Sequence, residues 1–206
     1  KPIVTNKFIW DLGFNIAYNS NKITKLNKSN DTDYYIPVGG ISGGTGNTVQ
    51  AHKVGYPAFS YLLYEQVYDK DGNPIEGLYV DRNGDGVIDE ADKRLYKSRD
   101  PKVVMSFTSR MEYKNFDFGF SLRANLGNYV YDNVQSNNSS YSAIYNSAGY
   151  LNNLVRRGTK FQNPQYMSDY YLKNAGFLRC DNITLGYTWN NLLQDKLKLR
   201  LYGAVQ

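Results

Sequence analysis

The sequence predicts an all-β protein, and within that class a segment of a large antiparallel transmembrane β-barrel with long extracellular loops. Three observations predict it. Apolar residues recur at every second position along several long stretches. Two of those stretches are joined by two residues, Lys114-Asn115. Tyrosine fills 20 of the 206 positions, and aromatic residues reach 15%.

The first strand is read from Phe8. Its even positions are Phe8, Trp10, Leu12, Phe14, Ile16 and Tyr18, and the residues between them are mostly polar or small. Side chains alternate across a strand, so one face is apolar and the other is not. The pattern returns over Val103–Tyr113, where Val103, Met105, Phe107, Met111 and Tyr113 are in phase. It returns over Phe116–Asn128, with Phe116, Phe118, Phe120, Leu122, Ala124 and Leu126 in phase. Ile183, Leu185, Tyr187 and Trp189 mark a further strand, and Leu197, Leu199 and Leu201 the last. Leu178 and Cys180 are out of phase with Ile183, which predicts a β-bulge near Asp181.

A soluble sandwich would alternate too. Strands in soluble proteins usually run about 5–6 residues, whereas membrane strands need about 9–11, and the stretches here are of the second kind. Aromatic residues flank the short turns, Tyr113 and Phe116 at one and Tyr187 and Trp189 at the other, where an interfacial girdle belongs. The polar face carries charge in mid-strand at Asp11, Arg110, Glu112, Asp117 and Arg123, which suits a water-filled lumen.

Short turns face the periplasm and long loops the exterior in such barrels. Lys114-Asn115 and Asn190–Asp195 are then periplasmic, and Tyr131–Tyr170 and the loop before Val103 are external. The strand from Phe8 must rise and that from Val103 descend, so an even number of crossings separates them. Phe59–Tyr68 alternates poorly and is expected to form part of an external excursion, pairing with Ile23–Leu26.

The formal charge is +5, from 24 basic and 19 acidic residues. It is scattered rather than clustered, which argues against a nucleic-acid surface. One cysteine, Cys180, excludes an internal disulfide framework. An apolar run of the roughly 20 residues that a spanning helix needs is missing. The first residues do not read as a signal peptide, so the chain is expected to be mature or cut from inside a longer one. An open sheet edge cannot stand in lipid and five or so strands cannot close a barrel, so the chain is expected to be a fragment.

The stretch "DRNGDGVIDEAD" matches a twelve-residue calcium loop. Positions 1, 3, 5, 7, 9 and 12 are Asp81, Asn83, Asp85, Val87 (through its carbonyl), Asp89 and Asp92, and Gly86 stands at the sixth, where the chain must turn. Hard oxygen donors suit Ca²⁺. Asp92 replaces the usual Glu and is one methylene shorter. The preceding "DGNPIEGLYV" cannot be a helix, so a structural calcium clip is expected here rather than a sensor that re-angles two helices. The bland alternative is an Asp-Gly turn in a solvated acidic loop.

His52 lies among Gly and Asn with no nucleophile or orienting partner nearby, so it is read as a solvated loop residue and the chain as no enzyme. Cys180 is read as a small strand filler.

Taken in order, "FIWDLGFNIAYNSNKITKL", "VGYP", "YVDRNGDGVIDEAD", "MEYKNFDFGFSLRANLGNYVYDN" and "FLRCDNITLGYTW" resemble the C-terminal part of the barrel of SusC/RagA-type TonB-linked outer-membrane transporters. The resemblance implies that residues 1–206 belong to a 22-stranded TonB-dependent barrel of the bacterial outer membrane. It implies a plug domain and an N-terminal part outside these residues, a SusD-like surface lipoprotein as lid, and coupling to the TonB complex. The implied ligand is an oligosaccharide or, as in RagA-type members, an oligopeptide. Tyr141, Tyr145, Tyr150, Arg156 and Arg157 are the candidate contacts to ligand or lid; a self-packed, solvated loop is the plainer reading of the same residues. A calcium-stiffened β-sandwich adhesin is the remaining alternative.

Overall fold

The computed structural model describes residues 2–5, 7–27, 31, 33–144, 159–194 and 196–206. In chain order its strands are β1 (Ile3–Val4), β2 (Phe8–Tyr18), β3 (Tyr35–Gly40), β4 (Thr48–Lys53), β5 (Ser60–Leu63), β6 (Gln66–Tyr68), β7 (Pro74–Tyr79), β8 (Arg94–Ser98), β9 (Val103–Tyr113), β10 (Phe116–Leu126), β11 (Tyr129–Tyr131), β12 (Leu172–Asn174), β13 (Phe177–Leu192) and β14 (Leu197–Val205). A helix, α1, covers Asn133–Asn138. The chain divides into two compact units, one of Lys1–Asn19, Pro101–Gly127 and Gly176–Gln206, the other of Ser20–Asp100 and Asn128–Ala175.

The first unit is a six-stranded sheet in the order β1-β2-β9-β10-β13-β14, with every neighbouring pair antiparallel. Strands β2, β9 and β10 each run 11 residues, long enough to cross hydrocarbon. The pairing aligns the apolar phases of all five long strands. One row across the sheet reads Phe8, Tyr113, Phe116, Tyr187, Leu201, and the next reads Trp10, Met111, Phe118, Leu185, Gly203. Ser109 falls in the apolar phase, and the Trp10 indole N–H donates to its Oγ at 2.9 Å. That bond satisfies a hydroxyl that an apolar face would otherwise leave unpaired. The apolar rows are open on their outer side: Phe14 is 66% exposed and Leu178 74%.

The strands before and after the Ser20–Asp100 excursion are direct neighbours, from Phe8↔Tyr113 to Tyr18↔Val103. The even number of intervening crossings is therefore zero. The bulge is present: the β10–β13 register slips between Ser121 and Leu122, opposite Asn182 and Cys180, leaving Asp181 unpaired in the ladder. Strand β10 stops at Leu126 rather than Asn128, because Gly127 at φ 81° turns the chain.

The second unit holds a four-stranded sheet, β3-β4-β5-β8, the hairpin β6–β7 and the two-stranded sheet β11–β12. Its core joins Val49, Tyr61, Leu63, Tyr131, Tyr171 and Leu172. Phe59–Tyr68 does not pair with Ile23–Leu26. Its residues form β5, between β4 and β8, and β6, which pairs with β7. Ile23 instead exchanges backbone bonds with Gly55 and Tyr56. The run Leu62-Leu63-Tyr64 lacks alternation because β5 is a central strand in which Ser60, Tyr61 and Leu63 are all buried. His52 is a half-buried strand residue rather than a loop residue. It sits in β4, its ring edge-on to Phe59 at 4.5 Å, with Nδ1 accepting from the Phe59 N–H at 3.5 Å.

Candidate functional site

Two regions carry the polar chemistry, one in each unit. On the sheet, the phase opposite the apolar rows bears ion pairs. Arg200 binds Asp117 through Nε at 2.9 Å and Nη2 at 2.6 Å, and Arg110 meets Glu112 at 3.2 Å. The bulge delivers Asp181 to two arginines, Arg123 at 3.1 Å and Arg179 at 2.7 Å. A face of this kind is polar and hydrated, whereas its reverse is apolar. Together they define a stretch of transmembrane barrel wall.

In the loop unit, the acidic loop is tied by its own amides. Asp81 accepts from the Gly84 N–H at 2.7 Å and the Gly86 N–H at 2.8 Å. Gly84 and Gly86 sit at φ 75° and 83°, conformations that a residue with a Cβ would resist. Asp85 accepts from the Val87 N–H at 2.8 Å and from the Asn83 amide at 2.7 Å. Asp89 caps a short 3₁₀ helix, Glu90–Asp92, by accepting from the Ala91 N–H. Asp92 is fully buried and accepts from the N–H groups of Arg82 at 2.7 Å and Asp89 at 2.9 Å, which hold its carboxyl below the usual carboxylate range. The twelfth position thus closes the loop on its start. Among the described residues no three Asp, Glu, His or Cys side chains are gathered as a metal site. The donor set itself, carboxylates, an amide and the Val87 carbonyl, is all oxygen and fits Ca²⁺ in kind.

The loop is wired to the core by residues that the sequence reading did not single out. Glu65 accepts from Arg82 at 2.7 Å and from Arg94 at 3.1 Å. Arg94 reaches on to Asp169 at 3.4 Å, which also takes the Tyr96 hydroxyl at 2.9 Å and the Gln66 N–H at 2.9 Å. The buried Gln66 amide donates to the carbonyls of Val67, Ile75 and Leu78 and accepts from Ser168. Burial, followed by the charge of Asp169, pushes the Tyr96 phenol up. These side chains come from separate segments, and no local spacing announces their meeting.

Of the candidate contacts, Tyr141 is 46% exposed at the start of a 3₁₀ turn. Tyr145, Tyr150, Arg156 and Arg157 lie outside the described residues. Three neighbouring tyrosines pack inward: Tyr171 is in the core, Tyr170 packs against it, and the Tyr166 ring lies flush on the backbone of Gly43. Cys180 is exposed in the apolar phase, opposite Leu122.

A long-stranded sheet with one apolar and one charged face, carrying large loop insertions, is the wall of an outer-membrane barrel. Comparison with known proteins sharpens this class. Over its whole length the chain is 51% identical to the TonB-dependent receptor SusC of Bacteroides thetaiotaomicron, covering 21% of that protein. It is 24% identical, again throughout, to the TonB-dependent receptor P3 of Formosa agariphila, covering 22% of it. The chain therefore spans about a fifth of the length of these relatives. No family model matches it. Its fold superposes on the RagAB peptide transporter with a TM-score of 0.68 at 18% identity, covering 98% of this chain and 24% of that one. The chain is a segment of an outer-membrane TonB-dependent receptor of the SusC type, and the likeness to RagAB bears on the fold. The proteins that it matches are receptors and transporters rather than enzymes, and the sandwich alternative gives way to their barrel.

Proposed function

We propose that the protein carrying this segment is an active importer of oligosaccharides across the outer membrane. It is energised by the TonB complex and partnered by a SusD-like surface lipoprotein. The segment lies in the C-terminal part of the barrel, with the plug elsewhere in the protein. The observation that carries the reading is the 51% identity with SusC along the whole chain. The polar sheet face supports it by offering a hydrated wall, and the loop unit supports it by offering ordered surface for capture. An oligopeptide cargo is the second reading; what favours it is the likeness to RagAB, which at 18% identity speaks for the fold. Growth of a deletion strain on defined neutral glycans and on defined peptides as sole carbon source tests both. Loss on a glycan with normal growth on peptides is expected, and the reverse would move the cargo to peptides.

The same proposal includes a calcium ion held by Asp81, Asn83, Asp85, the Val87 carbonyl, Asp89 and Asp92. Its support is the twelve-residue pattern and the buried Asp92 that closes it. The ion would neutralise four neighbouring carboxylates and restrain the loop.

A further inference from the structure

A groove of about 760 Å³ opens within the loop unit, bounded by β3, β4, β8 and the short helix of the acidic loop. That is ample for a small-molecule ligand. Its walls carry Lys53, Arg82, Lys93 and Arg94 beside Asp33 and Glu90. Read as a charge list, this would attract an anion. The pairing removes that expectation. Lys53 meets Asp33 at 3.5 Å, Lys93 meets Glu90, Arg82 meets Glu65 at 2.7 Å, and Arg94 meets both Glu65 and Asp169. Each cation already faces a carboxylate, so the groove presents little net field. What it presents is a set of fixed N–H donors next to fixed oxygen acceptors. A hydroxyl group donates and accepts at once, and it matches such pairs where a lone phosphate or carboxylate does not.

The apolar part of the groove is aromatic. Tyr35 enters from β3 and Tyr56, 39% exposed, from the turn after β4. Tyr96 lines it too, but Arg94 covers that ring at 4.0 Å. Tyr35 and Tyr56 therefore supply the open ring faces. A peptide would bind by adding a strand to the exposed edge of β3, and that edge is blunted. Pro37 lacks an N–H, and Gly39 at φ 71° breaks the extended line.

We propose that this groove binds a neutral oligosaccharide, its sugar faces on Tyr35 and Tyr56 and its hydroxyls on the ion-paired side chains. The proposal rests on the importer reading for the cargo class, and on the groove alone for where that cargo is held.

Titration calorimetry on the full-length protein in detergent tests it. The probes are maltohexaose, cellohexaose, mannohexaose, an oligogalacturonate and a pool of random hexapeptides. One of the neutral hexasaccharides is expected to bind, with neither the oligogalacturonate nor the peptides displacing it. Tyr56→Ala should weaken binding by about tenfold, the scale of one lost ring contact, and Tyr56→Phe should retain it. Absence of neutral-sugar binding, displacement by the acidic sugar or the peptides, or an unchanged affinity in the Tyr35→Ala/Tyr56→Ala double variant would overturn the groove assignment. Parallel growth assays separate the two readings. Groove variants that import normally defeat the groove and spare the importer. A deletion strain that grows normally on the bound glycan defeats the importer and spares the groove.

Discussion

Arg200 grips Asp117 across the bare backbone of Gly186, through hydrogen bonds of 2.9 and 2.6 Å. Gly186 pairs directly with Asp117 on one side and Tyr202 on the other, and Arg200 is two residues further along that second strand. A Cβ on Gly186 would stand 2.5 Å from Asp117 Oδ2 and 2.8 Å from Arg200 Nη2. The glycine is the gap through which the diagonal ion pair closes. Gly186→Ala is expected to lower the temperature at which the folded barrel loses its heat-modifiable band on a gel. Gly203→Ala, whose Cβ would meet no atom within 4 Å, should leave that temperature unchanged. Equal behaviour of the two variants would contradict the account.

The two faces of the sheet make opposite demands. Leu185 is 56% exposed in the apolar phase, and Thr184 is next to it in the polar one. A charge facing lipid at mid-membrane costs about 2–4 kcal/mol. Leu185→Arg should therefore reduce the amount of receptor assembled in the outer membrane, while Thr184→Arg is tolerated. Membrane fractionation with surface labelling reads the difference. Tolerance at both sites would mean that the apolar rows do not meet lipid.

Calcium is checked directly. The purified receptor should carry about one equivalent by elemental analysis, removable by a chelator, and the Asp81→Asn/Asp85→Asn double variant should carry none. Chelation should expose the acidic loop to limited proteolysis. An unaltered metal content in the double variant would reduce the loop to the self-bonded turn that its amides already make.

Tyrosine ionisation sets an alkaline limit for the loop unit. Burial raises Tyr131 to about 12, and burial together with Glu90 and Asp89 raises Tyr64 to about 12. An unfolded tyrosine titrates near 10. The folded state holds these protons longer, so their contribution is fully present below pH 10. It declines as pH rises through about 12. Tyrosinate absorbance should show a late, cooperative phase that coincides with loss of the near-ultraviolet dichroism. A phase centred at 10 for both residues would refute it.

Leu63 is fully buried at the centre of that unit. Leu63→Ala should cost about 2–5 kcal/mol and shift the unfolding of the loop unit without altering the heat-modified mobility of the barrel. Protection of core amides from hydrogen exchange measures it.

The barrel wall was legible because membrane strands obey one rule for many residues. Phe8–Tyr18 and Val103–Tyr113 are long, unbroken and one-sided, and even the slip at Asp181 showed as a change of phase. The loop unit was not, since β5 spans Ser60–Leu63 and β6 Gln66–Tyr68, too short for any period to emerge. Its core relies on tyrosine, serine and glutamine, such as Tyr171, Ser168 and Gln66, which carry no apolar signature in a sequence. The acidic loop could be read because twelve consecutive residues contain it. Glu65, Arg94 and Asp169 could not, because folding alone brings them together.

At the rim of the sheet the Asn19 N–H reaches the Lys102 carbonyl at 2.8 Å, so the two ends of an 81-residue excursion are hydrogen-bonded neighbours. The wall closes its seam with residues of its own strands. The second insertion is closed in the same way, by the Ala175 N–H on the Asn128 carbonyl at 3.0 Å, and the two insertions share one core, so evolution, or an engineer, would exchange both together while the membrane strands keep their register. What the loops offer to solvent and how the strands meet lipid are then separately heritable traits of one polypeptide.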